Sequence, residues 1–593
     1  MIPVRASGVL RDFAEAGVLE PADVHVAMRL SQLGQEANET VLLAAALTVR
    51  GVRTGSVCVD LTTITDTITA TTDPDPASTH PDSDSGAGEP VALPWPDTWD
   101  PLQHSPIVAV GIHAPWAPLR LIDGLLYLDR YWAQEQLVRR ELDDRAAHPV
   151  PTLDLTLLPT LFPSAGPDRQ RLAVAVAADR WVSVITGGPG TGKTHTVARL
   201  LAVLLAQPGP TPRIALAAPT GKAAARLQEL VRAQATAIGM PTDLTASTLH
   251  RLLGWRPDSQ SRFRHDSGNR LPYDVVVVDE ASMVSLTLMA RLLDALRPTT
   301  RLVLVGDPDQ LTPVDAGAVL ADLVHRPATT TPHSAPPGIN DTELDLDNTE
   351  RTQLGNGVVR LRVSHRYGQV IGAFAEAVRA GDADTTLQLL TAGGPLILET
   401  GYDALQAQVT TGSTAMAAAA SAGDGASSLT LLGAHRLLCA HREGPYGVGA
   451  WNEQCSQWSG TAAQWYPGQP LLVTANDYEN HLYNGDTGVV IATSDGLQAA
   501  FARGQDVVNI ALSRLSAVVT AHALTVHRSQ GSQYEAVTLV LPPPTSPLLT
   551  RELFYTAVTR ASDRVRVIGT EDSVRAAVTR QLVRASGLRR ALP

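Results

Sequence analysis

The sequence predicts an α/β protein built from two parallel-sheet domains, with a small antiparallel β-barrel inserted into the second and a mainly helical region ahead of the first. Three observations lead there. From about Pro159, short β-branched runs alternate with helical patterns and end in polar residues, the texture of a parallel sheet with a crevice at its carboxyl edge. The same alternation resumes after about residue 363. Between Gln469 and Thr520 it gives way to short strands broken by turn signals.

At 593 residues the chain has room for roughly three to five domains. Hydrophobic residues make up 44%, enough for several cores. No apolar run reaches the roughly 18 residues of a membrane span. The N-terminal MIPVRASGVLRDF has no signal-peptide core, and Cys58, Cys439 and Cys455 are too scattered for a disulfide framework or a metal knuckle. A reducing cytoplasm is therefore the expected compartment. The net charge of −12 argues against coating nucleic acid by bulk charge. Much of the acid falls in 72–90 and about 326–350, segments rich in Asp, Pro, Ser and Thr that are expected to be disordered, so a local basic groove is permitted.

In chain order, residues 1–150 read as a docking domain. Apolar residues recur at three- and four-residue spacing between 11 and 50, giving two or three amphipathic helices. After the acidic linker come Trp95, Trp99 and Trp116, then LIDGLLYLDRYW (121–132) and a charged helix ending near Arg145. Residues 151–362 form the first parallel-sheet domain: a helix over 168–178, a strand into Gly187, and strands at 213–218, 275–278 and 301–305. Residues 363–593 form the second, with strands at 437–440, 537–541 and 565–569 and the barrel inserted at about 469–520. Within the insertion, Tyr483-Asn484-Gly485-Asp486 is a hairpin signal.

The chemistry is concentrated in Gly187-Gly188-Pro189-Gly190-Thr191-Gly192-Lys193-Thr194, the phosphate-cradling pattern G-x-x-x-x-G-K-[ST] set between a strand and a helix. Glycines let backbone N–H groups turn inward at a helix N-terminus, where the dipole favours anions. Lys193 is placed to reach the β and γ phosphates and the Thr194 hydroxyl to ligate Mg²⁺, so ATP and Mg²⁺ are the expected cofactors. Of 47 basic residues only Lys193 and Lys222 are lysines, leaving 47 − 2 = 45 arginines. A bias that removed lysine elsewhere spared the loop, where a planar guanidinium cannot replace a compact ammonium. Asp279 and Glu280, at the end of the VVVV run, supply the other half: Asp279 to hold Mg²⁺, Glu280 to orient and deprotonate water. Gln310, after Gly306-Asp307-Pro308-Asp309, is placed to sense the γ-phosphate.

The ordered series GGPGTGKT, APTGKAAARL, STLHRLLG, VVVDEASMV, GDPDQLTPV, SHRYG, TVHRSQGSQYE and YTAVTRA resembles the motif set of superfamily 1 helicases, in particular the branch that moves 5′→3′. VDAGAVLADL (314–323), LLCAHREGPYGVGAWNE (437–453) and LEPADVHVAMRL (19–30) narrow the resemblance to the RecD family, the α subunits of bacterial RecBCD (exonuclease V). The resemblance implies two RecA-like motor domains, an SH3-like inserted barrel, and RecB and RecC as partners on single-stranded and duplex-end DNA, with nuclease activity in RecB. It implies that Gln170 reads adenine, and that Arg366 and Arg560 reach the γ-phosphate from the second domain as arginine fingers, so that hydrolysis requires the domains to close. Thr220, Lys222, Thr248, His250, Thr525 and His527 would meet the DNA strand, although each threonine serves equally well as a helix cap. Gln530 and Gly531 would belong to the loop that couples strand to nucleotide, and Tyr367 and Tyr483 would either stack on bases or pack locally. Arg528 stands where the family commonly has lysine; Lys222 is retained against the bias, which implies a compact ammonium on DNA phosphate or near the nucleotide.

Two other readings compete: a stand-alone RecD-like DNA or RNA helicase, and a regulatory subunit with a vestigial ATPase. Intact Lys193, Thr194, Asp279, Glu280, Gln310, Arg366 and Arg560 argue against the second.

Overall fold

The computed structural model describes residues 6–68, 93–163, 168–239, 244–256, 263–327, 345–364, 366–460, 463–477, 479–504 and 506–590. The expected disordered linker at 72–90 lies outside these residues. Among them, no helix is long and apolar enough to cross a membrane.

The N-terminal region begins with three helices, Gly8–Glu15, Pro21–Gly34 and Glu39–Arg53. Asn38 caps the third through its side-chain oxygen. Their apolar faces bury Phe13, Leu43 and Leu47, and Trp95 covers them, edge-on to Phe13 at 4.8 Å. Trp116, by contrast, is 76% exposed. A four-stranded sheet of short strands is built in beside the helices, ordered Cys58–Asp60, Leu125–Leu128, Leu119–Ile122, Val108–Val110. Its central hairpin lies within LIDGLLYLDRYW, where Asp123 and Gly124 both take positive φ (46° and 77°) in a two-residue turn. The charged helix follows as Asp129–Ala147.

The first motor sheet has six strands, all parallel, ordered Val358–Leu361, Val182–Gly187, Arg301–Gly306, Val275–Val278, Ile214–Ala218, Ala246–Thr248. Val275–Val278 is buried on both faces, which is why it reads as a continuous apolar run. The insert expected at about 326–350 is shorter than its composition indicated. Arg326 is ion-paired with Asp143, and Asp347 and Glu350 form a reciprocal capping box at the start of the helix Asn348–Gly355. Only 328–344 of it falls outside the described residues.

The second motor sheet has five parallel strands, ordered Leu396–Glu399, Ala561–Ile568, Tyr534–Val540, His435–Cys439, Ala523–Thr525. Between the fourth and fifth of these the chain makes a separate antiparallel sheet, ordered Asp506–Ala511, Gly496–Arg503, Thr487–Thr493, Pro470–Val473, Val518–Thr520. Asn484-Gly485 does not join adjacent strand ends as a two-residue hairpin would. It forms a tight turn closed by Asp486 N–H on the Tyr483 carbonyl, at the end of a long connection.

The last described segment departs from the expected boundary at 363–593. After the helix Glu571–Thr579, residues 584–590 leave the second motor domain and run across the first domain and the N-terminal sheet. The Ala585 carbonyl accepts from the N–H of Val57, Glu135 accepts from Gly587 N–H at 2.9 Å, and Arg139 donates to the Gly587 and Arg590 carbonyls. Arg589 pairs with buried Asp322 at 2.6 Å, and Leu588 is 1% exposed in a core shared with Val57, Tyr127, Val138 and Leu286. Arg584 donates to the carbonyls of Pro313 and Asp315.

Candidate nucleotide and nucleic-acid site

The strand Val182–Gly187 delivers the phosphate loop, and the helix Lys193–Leu205 leaves it. Lys193 folds back over the loop, its Nζ donating to the carbonyls of Gly187 (2.6 Å) and Gly188 (3.0 Å). The ammonium is thus held over the loop it would share with phosphate oxygens. Thr191 closes the turn through Oγ1–H on the Gly188 carbonyl. Gly190 has φ 80°, and a Cβ there would lie 2.2 Å from Cβ of Arg366, so the loop and the second domain meet with no room for a side chain. Thr194 occupies the second position of the helix. Gln170, on the helix capped by Asp168, donates from Nε2 to the Thr191 carbonyl at 3.2 Å, and its Oε1 lies 3.1 Å from Nδ1 of His195.

Two strands bring carboxylates to the same edge. Asp279 accepts the Glu280 N–H at 2.9 Å, and burial, then the charge of Glu280, pushes its carboxyl up to about 6. Glu280 is one of few non-glycine residues with positive φ (50°), a left-handed conformation costing about 1 kcal/mol, which fits a residue whose aim matters more than its comfort. Asp307, 1% exposed, accepts from Gln310 Nε2 at 2.8 Å and is likewise pushed up to about 6 by burial, with Asp309 adding and Lys193 opposing. A cation between Asp279 and Thr194 would relieve the first of these carboxyls. One hydroxyl and one carboxylate make the sparse protein donor set with which Mg²⁺ is usually held, phosphates and water completing the octahedron. Among the described residues no group of three or more His, Cys, Asp or Glu is placed to hold a metal alone.

The second domain closes the site. Arg560, 2% exposed, donates from Nη2 to Oε1 of Gln310 at 2.8 Å, joining the two domains at the atom expected to sense the γ-phosphate. Burial lowers its pKa. Arg366 sits against the loop; burial, then the guanidiniums of Arg560 and Arg226, draws its pKa down to about 10, and Glu280 opposes. Arginines so crowded and desolvated are poised for an anion. A cavity of about 740 Å³ opens beside the loop, lined by Gly188, Thr191, Arg360, Tyr367, Arg379 and Tyr555.

Thr220 and Thr248 end neighbouring strands of the first sheet. Their hydroxyls accept from the N–H groups of Ala223 and Arg251, both at 3.2 Å, and Thr525 Oγ1 accepts from Arg528 N–H at 3.3 Å. Each thus caps the turn that follows and keeps a hydroxyl proton to give. Burial lowers the pKa of both His250 and His527, with Asp315 opposing at His250 and Arg584 adding at His527. The structure groups Thr220, Thr248 and His250 on the carboxyl edge of the first sheet and Thr525 and His527 on that of the second.

Lys222 follows at the second position of the helix that Thr220 caps. Its Nζ donates to Ser532 Oγ (2.7 Å) and the Gly485 carbonyl (3.1 Å), bridging the first domain, the second domain and the antiparallel unit. Burial lowers its pKa. The sequence reading expected Lys222 on DNA phosphate or near the nucleotide; in the structure its partners are Ser532 and Gly485, 310 and 263 residues away in the chain, where no local pattern reveals them. Tyr483 packs there too, its ring against the backbone of Gly221, where a Cβ would lie 2.5 Å from the ring. Gln530 donates to the Leu311 carbonyl at 3.2 Å, and the Gly531 carbonyl accepts from Arg226 at 2.9 Å.

Sequence reasoning missed four residues at the closed cleft. Thr556 accepts the Leu311 N–H at 2.9 Å, Ser364 donates to the Pro189 carbonyl at 3.1 Å, Tyr555 stands over Gly188, and Asp307 anchors Gln310. All four lie inside or beside quoted motifs, so motif membership was the signal that could have found them; what each touches leaves none.

Three family models match the chain: an AAA domain over residues 170–316, a UvrD-like helicase C-terminal domain over 520–568, and the N-terminal domain of RecBCD enzyme subunit RecD over 15–127. The RecBCD enzyme subunit RecD of Mycolicibacterium smegmatis is 49% identical, covering 98% of this chain and 99% of its own. That of Mycobacterium tuberculosis is 48% identical, over 99% and 97%. The ATP-dependent RecD2 DNA helicase of Deinococcus radiodurans is 32% identical over 67% of this chain and 48% of its own.

Proposed function

The chain belongs to the RecD family of RecBCD enzyme subunits, and from that premise we propose that it is the ATP-driven 5′→3′ DNA helicase of a RecBCD-type complex. It works in the cytoplasm, held with RecB and RecC, at duplex ends in double-strand break repair and homologous recombination. The observation that carries this reading is the hydrogen bond from Arg560 to Gln310 across the cleft. Catalytic groups divided between two domains can complete a site only when the domains close, which is how hydrolysis is converted into movement.

In this reading Lys193 and the loop N–H groups hold the phosphates, Gln170 selects adenine, and Thr194 and Asp279 would hold Mg²⁺, which would supply neutralisation of phosphate charge. Glu280 takes a proton from water, Gln310 reports the γ-phosphate, and Arg366 and Arg560 stabilise the charge that develops on it. Thr220, Thr248 and His250 on one sheet, and Thr525 and His527 on the other, give the strand two grips whose separation changes as the cleft opens. The antiparallel unit at 470–520 is an SH3-like barrel, and residues 6–147 dock the motor on its partners.

The stand-alone reading is the weaker one. The chain aligns end to end with RecBCD subunits, including their N-terminal domain, but with only 48% of the Deinococcus helicase. Unwinding of 5′-tailed against 3′-tailed duplexes, with and without RecB and RecC, tests the proposal, with Lys193→Gln as the inactive control. Preference for a 3′ tail would sink the polarity.

A further inference from the structure

One arginine outside every assigned role lies between the strand edge and the hydrolytic site. Arg226 is on the helix Gly221–Ile238, whose first turn is capped by Thr220, and it lies four residues after Lys222, so both point the same way from one face. Arg226 Nη1 donates to the Gly531 carbonyl at 2.9 Å. The next carbonyl, Ser532, faces Arg560 Nη1 at 3.4 Å, and the Ser532 hydroxyl receives Lys222 at 2.7 Å. Tyr534 N–H donates to the Arg560 carbonyl at 2.9 Å. The loop 530–534 is therefore held from the first domain by Lys222 and Arg226 while it holds Arg560 in the second. The charge of Arg226 reaches Asp279, Arg366 and Arg560, which places it at the margin of the site.

We propose that Arg226, with Lys222 beside it, is a positioning residue that ties the first domain's grip on the DNA strand to the placement of Arg560. Movement of the helix under Thr220 as a strand binds pulls consecutive carbonyls of the loop, and the loop carries Arg560 toward or away from Gln310. The shortness of the linkage matters: two guanidiniums on neighbouring peptide groups leave little slack. Lys222 donates from one compact ammonium to a hydroxyl and a carbonyl, a point-charge geometry that a planar guanidinium fork does not reproduce.

The inference rests on the helicase reading, and the test separates the two. ATP turnover is measured on the full chain, alone and co-purified with RecB and RecC, with and without oligo(dT), alongside oligo(dT) affinity by fluorescence anisotropy. For Arg226→Gln the strand-stimulated kcat falls about tenfold, while unstimulated turnover, KM for ATP and strand affinity stay within about twofold. Arg226→Lys, which retains one donor, recovers part of the stimulation and carries the test if the first variant does not fold. Full stimulation in both variants overturns the inference, as does an equal loss of stimulated and unstimulated turnover, which would mark Arg226 as framework. A wild type indifferent to oligo(dT) overturns the helicase reading itself.

Discussion

Asp307→Asn is expected to make the nucleotide-free protein more stable, and more so at high pH. The carboxyl is 1% exposed and its pKa is raised from 3.8 to about 6 by burial and by Asp309. A folded-state pKa above the unfolded one means the folded protein binds the proton more tightly, so stability is lost as pH rises from about 4 through about 6. The difference gives a penalty of about 3 kcal/mol at about pH 8 and about half of that at about pH 5. Asparagine removes the charge but keeps one acceptor, for the Asp309 N–H; its amide nitrogen faces Gln310 Nε2, and that lost hydrogen bond subtracts about 1 kcal/mol at every pH. Net of that loss, the gain for a unit of about 200 residues corresponds to a melting shift of about 4–8 °C at pH 8 and a smaller one at pH 5. Thermal unfolding at a fixed scan rate at both pH values reads it. A variant that melts at or below wild type at pH 8, or by a margin independent of pH, refutes the reasoning. The functional corollary is that the wild-type carboxylate is retained at a cost in stability because it neutralises Lys193 and aims Gln310.

Other consequences are simpler to read. Arg560→Ala is expected to lower kcat for ATP about 10³-fold with nucleotide binding intact, measured by stopped-flow with a fluorescent ATP analogue; unchanged turnover would exclude it as the finger. Gly190→Ala places a methyl 2.2 Å from Arg366 Cβ at a positive φ, so the cleft should fail to close and ATP turnover should be lost, while small-angle scattering shows an opened domain pair. Cys455, with its thiol pushed up to about 12 by burial, and Cys439, raised likewise, should resist alkylation at about pH 8 until denaturant is added; rapid labelling of native protein would contradict their burial.

The parts of the fold that showed in the sequence are those whose pattern is long enough to be periodic. Val275–Val278 and Arg301–Gly306, buried on both faces, read as strands without help. Strands of three or four residues at sheet edges, such as Ala246–Thr248 and Leu396–Glu399, carry no such pattern, and the N-terminal sheet was missed for the same reason. At the site, the loop glycines, Asp279 and Glu280 declare themselves because their spacing is the chemistry. Arg560 needed a motif, being one of 45 arginines, and Arg226 could not be found at all until its partner at Gly531, 305 residues on, was in view. Lys222 was singled out by composition, but its contacts with Ser532 and Gly485 could not be read there, since a carbonyl partner leaves no mark on sequence.

The segment that ends at Arg590 bears on how the chain is made. Leu588 belongs to a core whose other members run no further than Val358, so 588 − 358 = 230 residues separate it from the last of its neighbours. A ribosome adding about 5–20 residues per second takes roughly 12–46 s over that stretch. Throughout it, the N-terminal module and the first motor domain carry an open seam beside Val57 and Tyr127, with Glu135 lacking the N–H of Gly587. The N-terminal module therefore completes its packing only once residues 584–590, which follow the second motor domain in the chain, have been made.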